Sequence, residues 1–253
     1  MAATTAAVPE APQSMGAFAR VIGAIVSPRA TFRDIARKPG WLLPVLILIV
    51  INLAVIATFS QHVGWRTLIE KQDLQSRRAQ QQMAQMTPEQ KQHLIDLQAK
   101  AAPIFGYVGG VVGAPIVLLV VGAIFMGIFN ATSSTALDFK TSFSIAAHAW
   151  MPLTILGLLG IVVMFLKPPD TVNIQNLVAS NVGALLSNSA SMWLQTLCGS
   201  LDIFSFWVIG LLALGYSVAR PKKLSMGTAL AWVVGVWLVF VLVKTGLIAM
   251  ISG

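Results

Sequence analysis

The chain has 253 residues, 56% of them hydrophobic and 10% charged, with a formal net charge of +8 and a mean hydropathy of +0.77. Soluble domains average roughly 45–50% apolar and 25% charged residues, so this composition excludes an ordinary water-soluble globule. It also argues against a nucleic-acid partner: the 17 Lys and Arg fall almost entirely between long apolar runs, where anionic lipid headgroups are the natural counterions. A single cysteine, Cys198, rules out an intramolecular disulfide and any cysteine-built metal cage.

Residues 1–15, rich in Ala, Pro and Thr, are expected to form a disordered tail. The tail lacks the positive charge and apolar core of a cleavable signal, so the first span is expected to act as the insertion signal. Phe18, Ile22, Ile25 and Val26 then recur at helical spacing with Arg20 roughly 200° from Phe18, the pattern of an amphipathic helix. Ser27 is placed to cap a second helix with Pro28 at its first position. Arg29, Arg33 and Arg37, spaced by four, form a basic stripe opposite Ile35, with Phe32 on the flank. Both helices are expected to lie in the headgroup plane, arginines on lipid phosphates and apolar side chains toward acyl chains. The alternative is a solvated face on an ordinary juxtamembrane helix.

Five apolar runs follow, at residues 41–59, 104–129, 142–166, 203–219 and 227–251. Each is close to the roughly 20 residues that cross a 30 Å hydrocarbon core. The predicted fold is all-α, a polytopic membrane bundle of five transmembrane helices forming one domain over residues 16–251. Between the first two spans, residues 62–102 are Gln-rich with mixed charge and read as an extramembrane helical hairpin. Its second arm starts at the capping box Thr87, Pro88, Glu89, Gln90. Residues 167–202 hold two short apolar pieces, NVGALL and SMWLQTL, that read as interfacial or re-entrant. Residues 220–226 are compact and basic. Weighing Lys and Arg near the span ends places the N-terminus in the cytoplasm and the C-terminus outside.

Enzyme motifs are absent, and the sequence offers no catalytic, cofactor-binding or metal site: His62, His93 and His148 are too dispersed to share a metal. His148, just before Pro152, is expected to answer a carbonyl that the proline frees. Lys244 is the one basic residue inside a span, which makes it a candidate functional group. Asp202 and Lys244 each lie 21 residues from Lys223, at the centre of the last loop, so an antiparallel hairpin brings them to one depth. They either form an ion pair there, or Lys244 snorkels while Asp202 caps its helix, or both belong to a transport site. Gly106, Gly109, Gly110 and Gly113 give two overlapping small-residue pairs for helix packing.

The stretch SPRATFRDIARKPGWLLP, with ASNVGALL and SLDIFSFW, resembles the bacterial branch of the YIP-domain family, the Ypt-interacting proteins. Ser27, Pro28, Phe32, Ile35, Pro39, Trp41 and Pro44 carry the resemblance at one end, and Leu201, Asp202, Phe204, Ser205 and Trp207 at the other. The resemblance implies five spans and a cytoplasmic N-terminus. Eukaryotic members act in membrane trafficking by binding Rab-type GTPases and one another. The expectation is a non-enzymatic protein of a bacterial cytoplasmic membrane that organises it or recruits partners. Its own partners are anionic lipid and a further protein or second copy of unknown identity. The rival is a small transporter, channel or lipid scramblase using Asp202, Lys244 and His148.

Overall fold

The structure, a computed structural model, describes residues 14–75, 77–173, 176–187 and 190–252. Of the tail expected over residues 1–15, residues 1–13 lie outside that description. Two short helices, α1 (Ala17–Val26) and α2 (Pro28–Arg37), precede α3 (Leu42–His62). Then come α4 (Trp65–Gln75), α5 (Arg77–Ala84), α6 (Pro88–Ser133), α7 (Phe139–Ala149) and α8 (Pro152–Leu166). After a loop with short 3-10 turns, α9 (Met192–Ser200), α10 (Ile203–Ala219) and α11 (Met226–Ser252) complete the order.

Among the described residues, four stretches are long and apolar enough to cross a membrane: α3, the apolar part of α6, α7 with α8, and α11. The remaining expected span, α10, is a shorter apolar helix of 17 residues, about 26 Å by helical rise. The break between α7 and α8 follows from Pro152, which has no amide proton for the carbonyl of His148 four residues back. Met151 supplies one instead, its amide donating to that carbonyl at 3.2 Å. The expected role of His148 is therefore taken by backbone, and its Nδ1 sits 2.8 Å from the Ser144 carbonyl.

The polar arm that begins at Pro88 does not stop near residue 102. Thr87 and Gln90 cap each other as a full capping box, and α6 then runs 46 residues through Pro103 and Pro115. Each proline removes one helical hydrogen bond, but strong helix formers such as Lys100, Ala101 and Ala102 flank the first, so the helix passes through. Arg66 on α4 ties this arm down, donating to Asp96 at 2.7 Å and also to Gln92.

The core is organised around α10, whose Val208, Ile209, Leu211, Leu212, Ala213 and Tyr216 are buried, with α2, α7, α8 and α11 packed around it. Tyr216 is fully enclosed against Phe125 and Phe129 of α6, ring centroids 5.5 and 5.0 Å away. Its hydroxyl stands 2.9 Å from Ser142 Oγ, which in turn donates to the Gly122 carbonyl at 2.7 Å. A smaller cluster of Phe59, Val63, Met164 and Val172 closes the opposite end.

One expectation about the entry helices is corrected. Phe32 and Ile35 of α2 face protein rather than acyl chains: both are 0% exposed. Gly215 makes the room, since a Cβ there would stand 3.0 Å from Phe32 Cδ1. On α1 the apolar residues Phe18, Ile22 and Val26 are exposed, and Arg20 is buried.

Candidate functional site

The ends of the bundle differ in charge. Exposed Arg29, Arg33, Arg37 and Lys38 of the α2 region share one end with Lys140 at the start of α7 and with Arg220, Lys222 and Lys223 after α10. Asp34 and Asp138 are the described acids there. Arg220 is turned inward, donating to the carbonyls of Thr135 at 2.9 Å and Ala136 at 3.3 Å, so it clamps the α6–α7 turn rather than meeting lipid. Asn130 holds the same turn by donating to the Leu137 carbonyl at 2.9 Å and accepting from the Thr135 hydroxyl at 2.6 Å. Asp138 caps α7, accepting from the amide of Thr141 at 2.9 Å and from its hydroxyl at 2.6 Å. Partial burial pushes that carboxyl up, but the two Thr141 bonds and the nearby Arg220 outweigh it and hold the group below its ordinary 3.8.

At this end α1 folds back on α2 across a close approach, Gly23 meeting the Thr31 hydroxyl. The Thr31 hydroxyl donates to the Ser27 carbonyl at 3.0 Å, and Ser27 makes no side-chain cap, so the predicted hydroxyl cap is replaced by a bond one turn on. The turn brings Arg20 Nε to 2.6 Å from Asp34 Oδ2, with 8% and 15% of the two side chains exposed. The Met15 amide also donates to that oxygen, at 3.2 Å. Beside the pair lies a cavity of about 470 Å³ between α1, the start of α3 and α7, with Arg20, Lys140 and His148 among its walls. Sequence reading missed this junction; its only trace was an acid, Asp34, set inside an otherwise basic helix.

The structure does not join Asp202 to Lys244. Asp202 Oδ1 caps α10, accepting from the amides of Phe204 and Ser205 at 2.8 and 3.1 Å, and its other oxygen accepts from the Ser180 hydroxyl. Lys244 instead lies over the Phe240 ring, Nζ 5.9 Å from its centroid. His148 lies away from both, in the wall of the cavity. The glycines divide: Gly106 meets Trp65 and Gly110 meets Ile56, where a Cβ would fall 2.5 Å from Cδ1, while Gly109 and Gly113 face open space. Arg29, Arg33 and Arg37 are exposed, as a lipid-contacting stripe requires. Among the described residues no three His, Cys, Asp or Glu side chains gather as a metal site would need.

No match was found among curated proteins or among solved structures. The family model described as Yip1 domain matches residues 22–247. That range takes in the α1–α2 turn, the capped α10, and the long apolar stretches named above up to the last turn of α11, and the chain belongs to the Yip1 domain family.

Proposed function

We propose that the protein is a non-enzymatic multi-pass component of a bacterial cytoplasmic membrane that organises the membrane or recruits partners to it. The observation that carries this reading is the stripe of Arg29, Arg33 and Arg37, left exposed on a helix whose other side is fixed to the bundle by Phe32 and Ile35. A basic face held rigidly at one end of a membrane protein presents charge to anionic headgroups, each cation contributing about 1 kcal/mol. The exposed apolar row of Phe18, Ile22 and Val26 on α1 adds a surface suited to the acyl boundary.

The same end is read as cytoplasmic, following the excess of Lys and Arg. We read α10 as a fifth crossing: it starts at Asp202, bound to Ser180 beyond α8, and ends at Arg220, bound to the turn before α7. Its two ends are thereby tied to opposite ends of the α7–α8 stretch, although its 17 residues are fewer than the 28 of that stretch. The C-terminus then lies outside. Asp202, Lys244 and His148 share no contact among the described residues, which leaves the transport reading without a common path. The test is crosslinking and affinity purification in mild detergent alongside flux in proteoliposomes. The reading expects a reproducible protein or self-contact and baseline flux; solute or lipid flux that disappears in Lys244→Ala overturns it.

A further inference from the structure

We propose that the cavity between α1, α3 and α7 is a stoichiometric site for one anionic phospholipid with a hydroxyl-bearing headgroup, of the phosphatidylglycerol type. Its volume, about 470 Å³, falls in the roughly 300–1,000 Å³ range of small-molecule sites. The polar end is built from Arg20, Lys140 and His148, the apolar wall from Trp41, Leu42 and Leu46. Leu42 and Leu46 are 58% and 46% exposed, so this wall is continuous with the lipid-facing side of α3 and offers a track for an acyl chain.

The chemistry of the polar end narrows the headgroup. Arg20 commits only Nε to Asp34. Among the described residues its two Nη groups have no acceptor, and Gly40 leaves them room, a Cβ there standing 3.1 Å from Nη1. A guanidinium with a free planar edge and a nearby ammonium from Lys140 suit a phosphate. His148 adds the opposite preference. Its Nδ1 faces a carbonyl, which only accepts, so Nδ1 carries the proton; with Arg20 and Lys140 in the same wall opposing a third positive charge, the neutral ring presents Nε2 as an acceptor. That nitrogen takes a hydrogen from a headgroup hydroxyl. An ethanolamine ammonium also donates, but two neighbouring cations repel it. Phosphate with a neutral hydroxyl partner is the combination that satisfies all three side chains.

The inference rests on the lipid-facing reading of this end and not on partner recruitment, so the two can fail separately. The experiment is native mass spectrometry of the full chain in mild detergent. Phosphatidylglycerol and phosphatidylethanolamine are offered in turn, and sn-glycerol 3-phosphate serves as the soluble competitor. One phosphatidylglycerol should be retained about tenfold better than phosphatidylethanolamine, whose ammonium meets a repulsion of roughly that size beside Arg20 and Lys140. Lys140→Gln, at an exposed position, should reduce retention about tenfold, and Leu46→Trp should block it by filling the track. The triple change Arg29→Gln, Arg33→Gln, Arg37→Gln should leave the single lipid bound. Equal retention of the two lipids, loss in the triple variant with Lys140→Gln unaffected, or displacement by glycerol phosphate would each overturn the site.

Discussion

Arg20 shows how far a single residue can be placed by pattern alone. Helical spacing sets it opposite Phe18, but spacing says nothing of which side meets protein. The answer depends on the turn at Ser27, which folds α2 back so that Asp34 reaches Arg20. Asp34→Asn leaves a guanidinium buried without its counter-charge, a change that costs about 3–5 kcal/mol when a buried pair is broken on one side. Thermal unfolding in detergent should drop sharply, and Arg20→Met combined with Asp34→Leu should recover much of the loss. Asp138 offers a pH test with a definite sign. Its folded-state pKa is depressed, so the stability it contributes is present above its ordinary 3.8 and is lost as pH falls through the folded value. Wild type should exceed Asp138→Asn in thermal stability near neutrality, and the two should converge in acid below that value. Asp202 was half legible for a related reason. Its place directly before Ile203 marks an N-cap, which the structure shows, whereas equal distance from Lys223 fixes depth on two helices and leaves their facing sides open.

At the scale of elements, the helices were readable where local signals are strong. The capping box at Thr87 appears where the residues place it; Pro152 was read only as freeing a carbonyl, and the break it makes in the third expected span was not. The continuity of α6 was not, because a proline inside good helix formers stops a helix only when tertiary packing agrees. Small residues likewise announce a close approach without naming the partner. Gly215 receives α2: a Cβ there would stand 2.5 Å from Ile145 Cγ2 and 3.0 Å from Phe32 Cδ1. Gly215→Ala should cost about 1–3 kcal/mol by overpacking and expose residues 27–40 to limited proteolysis. On α6 the two glycine pairs should separate by experiment. Gly110→Ile collides with Ile56 and Leu53 of α3 and should lower the unfolding temperature, whereas Gly113→Ile projects into open space and should leave it nearly unchanged.

Across the whole molecule, the apolar runs and the charge between them were legible from composition, since lipid demands continuous helices. The docking of α2 on α10 and of α1 on α7 was not, because it depends on contacts more than 100 residues apart along the chain. The proposed orientation makes a direct prediction: reporter domains inserted after Met86 or fused at the C-terminus should be active only outside, and one inserted between Lys222 and Lys223 only in the cytoplasm. The opposite pattern would reverse every assignment of the basic end.

The length of α6 has a mechanical side. Forty-six residues make a rod of about 69 Å, more than twice the hydrocarbon thickness. A tilt of about 5° about the end near Asn130 swings the tip at Pro88 through about 6 Å. Pro103 and Pro115 are its two softest points, so bending concentrates there. Those joints take up part of a force applied to the polar tip, and the rest arrives as torque at the turn that Asn130 and Arg220 hold at the basic end.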